Sequence, residues 1–87
     1  MMRIESLQGR SIEEIARYNS NNVDDMIFIQ LNVREYEENR NLFKSVIRQW
    51  FASEIQVEGR LEQVREEIQS GIDFCFWYDG EELYFES

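Results

Sequence analysis

The stretch Ile72-Asp73-Phe74-Cys75-Phe76-Trp77-Tyr78-Asp79-Gly80-Glu81-Glu82-Leu83-Tyr84-Phe85-Glu86-Ser87 decides how this chain folds. Two alternating runs flank Asp79-Gly80. Asp-Gly in that position is a strong short-range signal for a β-hairpin, because its tight turn needs positive φ at the central positions. With Asp79-Gly80 as the loop, the register predicts Tyr78 opposite Glu81, Trp77 opposite Glu82 and Phe76 opposite Leu83. It continues with Cys75 opposite Tyr84, Phe74 opposite Phe85 and Asp73 opposite Glu86. Side chains alternate along a strand, so the hairpin has two faces. One carries Ile72, Phe74, Phe76, Leu83 and Phe85 and belongs to a core. The other carries Asp73, Cys75, Trp77, Glu82, Tyr84 and Glu86.

Upstream, Gly71 after Ser70 is a helix stop, since glycine takes the left-handed conformation without a Cβ penalty. Leu61, Val64 and Ile68, extended backward by Val57, form the helical stripe that it ends. Phe43, Ile47, Trp50 and Phe51, with Val46 beside them and Ile55 after, predict a main core helix from Leu42 onward. Glu58-Gly59 marks a break or bend between the two helices. Residues 34–41 are charged and fit strand, loop or helix.

Met26-Ile27-Phe28-Ile29-Gln30-Leu31-Asn32-Val33 reads as the clearest strand, with Met26 and Phe28 on a second, partly covered face. Ser11-Ile12-Glu13-Glu14 matches a capping box and starts a short helix expected to end near Tyr18. Asn19-Ser20-Asn21-Asn22 reads as a turn-prone loop. Met2-Arg3-Ile4-Glu5 alternates weakly, as a short edge strand would. The expected order is β-α-β-α-α-β-β. It implies one α+β domain over residues 1–87, with a small mixed or antiparallel sheet, helices packed on one face and a C-terminal hairpin.

Eighteen acids face nine bases, giving a net charge of −9 on 87 residues with a single cysteine and no histidine. Such a charge opposes direct contact with nucleic acid or an anionic membrane and attracts basic surfaces. No window approaches the ~20 apolar residues of a membrane span, and the start does not resemble a signal peptide. A soluble, reducing, cytoplasmic setting is the expectation.

Catalytic chemistry lacks its usual parts. Without histidine, Ser-His and Cys-His activation are unavailable. Cys75 has acidic neighbours, which raise a thiol's pKa rather than activate it. Zinc has no Cys/His cluster, and Asn19, Asn21, Asp24 and Asp25 miss the EF-hand pattern because Val23 occupies a ligand position and the required glycine is absent. Gly9, Gly59, Gly71 and Gly80 are isolated, so no phosphate-binding loop forms. The expectation is no enzyme, no cofactor and no metal.

The second hairpin face remains. Trp77 and Tyr84 among Asp73, Glu82 and Glu86 combine aromatic contact area with negative charge, the pairing that suits a basic protein partner. In size and charge alone the chain resembles the small acidic inhibitors of phages and mobile elements, some of which mimic nucleic acid. That resemblance is one of type and assigns no residues. The leading expectation is a binding protein whose Asp73, Trp77, Glu82, Tyr84 and Glu86 occupy a basic surface of a partner, such as that of a nucleic-acid-binding protein. The alternatives are a homodimer or larger self-assembly through the hairpin, and an immunity- or antitoxin-like protein that neutralises a basic nuclease.

Overall fold

The computed structural model describes residues 3–87. Met2, at the start of the expected first strand, lies outside them. The elements are β1 (Arg3–Glu5), α1 (Ile12–Asn21), a 3-10 segment (Val23–Asp25), β2 (Ile27–Ile29), α2 (Val33–Glu38), α3 (Arg40–Ile47), α4 (Glu54–Gln69), β3 (Phe74–Asp79) and β4 (Glu82–Glu86). The fold is α+β, with a four-stranded mixed sheet in the order β1-β2-β3-β4. β1 and β2 are parallel, and the other neighbours are antiparallel. The chain divides into two compact units. The first joins residues 1–30 to 73–87 and holds every strand and α1; the second, 31–72, holds α2, α3 and α4.

In the sheet unit, α1 crosses between the two parallel strands and lies along β3. The expected capping box supplies its start, where the Ser11 hydroxyl accepts from the Glu14 amide at 3.1 Å. Ile12, Ile15 and Ala16 are buried along its inner stripe. The helix does not stop at Tyr18. It runs to Asn21, because Asn19 continues that stripe and is itself fully buried.

Asn19 explains why β2 can be so short. Phe28 pairs with Cys75 and Ile29 with Phe74, so the next pair in register would be Ile27 with Phe76. The Asn19 amide stands there instead. Its oxygen accepts from the Ile27 N–H at 2.7 Å, and its nitrogen donates to the Ile27 and Phe76 carbonyls at 3.0 and 2.8 Å. One residue on, the Ser20 hydroxyl accepts from the Tyr78 N–H at 2.7 Å and donates to the Ala16 carbonyl at 3.0 Å. Two polar side chains of α1 thus satisfy backbone groups of β3 that no strand reaches, as buried amides require.

β1 is tied down by charge. Arg3 donates to Tyr18, Asp25 and Glu5 at 3.1, 2.8 and 2.8 Å, and Tyr18 donates on to Asp25 at 2.7 Å. The Tyr18 hydroxyl and the Arg3 guanidinium hold the Asp25 carboxyl below its usual range.

In the helical unit, residues 34–41 are helical on either side of a turn at Asn39, which separates α2 from α3. Asn32 accepts from the Glu35 amide at 2.7 Å while the Glu35 carboxylate accepts from the Asn32 amide at 2.9 Å, a capping box that starts α2. The order therefore has three helices where two were expected, and the Met26–Val33 strand shortens to Ile27–Ile29. The expected long core helix also divides. Phe43, Val46 and Ile47 are buried on α3, but the chain turns at Arg48 to Trp50 and restarts after Ser53, an extended residue with Glu54 in the first turn. Trp50 and Ile55 consequently leave the core and are 48% and 85% exposed.

Gly59 does not bend the chain; it lies inside α4. Val57, Leu61, Val64 and Ile68 form the buried stripe of that helix. Tyr36 packs on Phe43 with ring centroids 5.5 Å apart and donates to the Leu61 carbonyl at 3.1 Å. Burial pushes its phenol up from the ordinary tyrosine range. α4 ends as expected at Gly71, whose φ is +80°. The Ile72 N–H donates to the Glu67 carbonyl and the Gly71 N–H to that of Ile68, the two bonds of a Schellman ending.

Candidate partner-binding face

β3 and β4 form the hairpin in a register displaced by two residues from the expected one. Cys75 faces Glu86, Phe76 faces Phe85, Trp77 faces Tyr84, Tyr78 faces Leu83 and Asp79 faces Glu82. The loop is therefore Gly80-Glu81. Gly80 has φ of +65°, and neither Asp79 nor Glu81 has positive φ. A turn with glycine at its first central position needs only that one residue in the left-handed region, whereas an Asp79-Gly80 loop of type I′ would also force the aspartate there. The opposition of Asp73 to Glu86 does not form. Asp73 precedes β3 and is half-buried.

A two-residue slip leaves the two faces intact, because the side-chain period is two. Of the expected core face, Phe74, Phe76 and Phe85 are buried and cluster with ring centroids 5.9–6.3 Å apart, Leu83 is half-buried, and Ile72 precedes β3 and is 39% exposed because it lies at the end of the helix stop. Cys75, Trp77, Asp79, Glu82, Tyr84 and Glu86 share the other face. The slip changes its centre. Trp77 and Tyr84 are direct partners, stacked 6.0 Å apart at an interplanar angle of 23°. Such a pair contributes about 0.5–1.5 kcal/mol beyond the burial of its area. Glu82 sits next to it opposite Asp79, and Glu86 opposite Cys75.

The face extends across the sheet. Ile4 pairs with Phe28, and Phe28 pairs with Cys75, which gives one row from β1 to β3. Ile4 is 48% exposed and Phe28 half-buried. Beside this row runs a shallow groove of about 310 Å³, lined by Asn19, Ser20, Val23, Met26, Phe28, Cys75, Trp77, Tyr78 and Glu86. Cys75 forms a buried part of its floor. Burial, and then the Glu86 charge, push its thiol up, so it is held as a neutral thiol and not a reactive thiolate. The groove joins the 3-10 region to the hairpin, a contact between residues some fifty apart in sequence that periodicity does not reveal.

Among the described residues, Asp73, Asp79, Glu81, Glu82 and Glu86 make no ion pair. The bases are engaged elsewhere. Arg3 and Arg10 bind Glu5, Arg3 also binds Asp25, and six more pair within the helical unit. Arg17 instead lies 5.5 Å from the centre of the Tyr78 ring. The sheet unit contains ten acids against three bases, a net −7, and the helical unit eight against six, a net −2.

Four of the five expected site residues, Trp77, Glu82, Tyr84 and Glu86, are thus brought onto one face; Asp73 flanks it. Phe28, Met26 and Val23 join them. Among the described residues no group of three or more His, Cys, Asp or Glu is arranged to hold a metal ion, and no helix is long and apolar enough to cross a membrane. No protein-family model, no curated protein and no solved structure matches the chain.

Proposed function

We propose that the protein is a small acidic, non-enzymatic binding protein that occupies a basic surface of a partner protein, as an inhibitor whose carboxylates stand where nucleic-acid phosphates would. The observation that carries this reading is the hairpin face: a stacked Trp77–Tyr84 pair flanked by Glu82, Glu86 and Asp79, with no internal base to neutralise them. An aromatic centre supplies desolvated contact area, and unpaired acids at its rim supply steering and register. A basic nuclease is one target of this kind.

Self-assembly through the hairpin is the weaker reading. β4 is an edge strand, but it carries Glu82 and Glu86, and a second β4 paired with it would bring like charges together.

The test is affinity capture from the native host with a salt gradient, followed by titration of the purified partner. Affinity should fall steeply as salt rises, since exposed charges are screened over roughly 8 Å at physiological ionic strength. A complex unchanged by salt, and unchanged by Glu82→Lys with Glu86→Lys, would falsify the reading.

A further inference from the structure

The groove between the 3-10 segment and the hairpin has a chemistry of its own. Its volume of about 310 Å³ lies at the small end of the roughly 300–1,000 Å³ of ligand pockets, a size for one side chain rather than a cofactor. Val23, Met26, Phe28 and Cys75 make it apolar along its length. The neutral Cys75 thiol adds no charge. Glu86 is the one acid that lines it, and no base does. Trp77 contributes a half-exposed indole.

These features select an occupant. An anionic group is repelled by Glu86. A purely apolar side chain would cover the Glu86 carboxylate without giving it a partner, which is unfavourable. A long side chain with an apolar stem and a cationic end satisfies both parts at once. Arginine fits better than lysine, because its planar guanidinium stacks on an indole and meets a carboxylate through two parallel N–H groups.

We propose that this groove is the anchor site for a single arginine side chain of the partner, its stem on Met26 and Phe28 and its guanidinium between Trp77 and Glu86. The inference rests on the acidic-face reading and names the side chain that the face takes. Charge complementarity argues for it, since the groove opens on the unit that carries −7.

The experiment is a nuclear magnetic resonance titration of the intact chain with acetyl-Gly-Arg-Gly-amide. The Met26 methyl and the Trp77 indole N–H should shift in a saturable way. The citrulline tripeptide, which keeps the shape and loses the charge, should bind about tenfold more weakly, as should arginine to the Glu86→Gln variant. Glu86 is exposed, so that variant keeps its fold. Arginine and citrulline binding alike, lysine binding as well as arginine, or no shift at Met26 and Trp77 would each overturn the proposal. Shifts produced only by raising the protein's own concentration would assign the groove to a second copy and overturn it too. A salt-sensitive partner complex beside an empty groove would end the arginine site and leave the acidic-face reading standing. A groove that takes arginine in a protein without a basic partner would do the reverse.

Discussion

Arg40 and Lys44 on α3 and Arg48 just after it reach Glu54 and Glu58 on α4 at 2.6–3.4 Å, whereas residues 73–87 of the sheet unit hold five acids and no base. The helical unit uses its charges on itself. Arg65 binds Glu37, Arg60 binds Glu67 and Arg34 binds Glu38. Exposed pairs like these contribute little stability each, but they leave little net field. In the sheet unit, among the described residues, Arg3 and Arg10 pair with Glu5 and Asp25, Arg17 lies over the Tyr78 ring, and the acids of residues 73–87 form no ion pair. A general need for solubility would spread the excess evenly over both units. Its concentration in one, next to a stacked aromatic pair, is what a partner surface would select for.

The largest effect expected on this contrast is structural. Asn19→Ala removes the amide that replaces a ladder pair in the sheet unit and takes its hydrogen bonds away from the Ile27 N–H and from the Ile27 and Phe76 carbonyls. A buried group so stranded is penalised by ~1–3 kcal/mol, and three at one site should lower stability by about 3 kcal/mol once water and relaxation offset part of the sum. Urea unfolding measures it. Tyr36→Phe is the matched change in the helical unit. The Leu61 carbonyl that it deprives already has a place in the α4 ladder, so the loss should be about 1 kcal/mol. Equal losses from the two variants would break the view that Asn19 acts as part of the sheet.

The next effect concerns binding. Glu82→Lys with Glu86→Lys should weaken the partner complex at least about tenfold and flatten its salt dependence. Glu62→Lys with Glu66→Lys makes the same change of charge on exposed positions of α4 and should leave affinity within about twofold once long-range screening is present. Isothermal titration at two salt concentrations separates the cases. Equal weakening by both pairs would mean that total charge, not the hairpin face, governs association.

How much of this was legible beforehand follows from the range of each signal. The Ser11 cap, the Gly71 stop and the alternation of the hairpin from Phe74 onward are written in neighbouring residues and are found, whereas Ile72 and Asp73 fall before β3. The hairpin register differs by two from the expected one because Asp-Gly and Gly-Glu loops compete at one site, and a slip of two preserves every facing pattern. α1 runs past its expected end because the turn propensity of Asn19-Ser20-Asn21-Asn22 is overridden by burial of Asn19. The correct signal was positional: Asn19 falls three and four residues beyond Ala16 and Ile15 on the buried stripe. α2 was hidden by its charges, although Asn32 and Glu35 are spaced as a capping box. Nothing local marked the end of α3, since no glycine or proline stands between Ile47 and Ser53. The groove was out of reach for a different reason. Val23 to Phe28 and Cys75 to Glu86 meet only through the pairing of β2 with β3.

The smallest effects sharpen the contrast at the level of single backbone angles. A Cβ added at Gly59 or at Gly80 meets nothing within 4 Å, so free space does not distinguish the two sites. Backbone conformation does. Gly59 is helical, and Gly59→Ala should raise stability by roughly 0.5–1 kcal/mol, the usual advantage of alanine inside a helix. Gly80 has φ of +65°, where an L residue is penalised by about 1–2 kcal/mol, so Gly80→Ala should lower stability. A shift of the urea midpoint at constant slope reads both signs. Asp79→Thr then tests the register itself. Asp79 is a strand residue opposite Glu82, so threonine removes a like-charge pair and suits the strand, for a gain of a few tenths of a kcal/mol, roughly. Were Asp79 a loop residue at positive φ, a β-branched side chain there would be strongly disfavoured instead. A clear loss of stability in Asp79→Thr would restore the Asp79-Gly80 loop and, with it, separate Trp77 from Tyr84 at the centre of the proposed binding face.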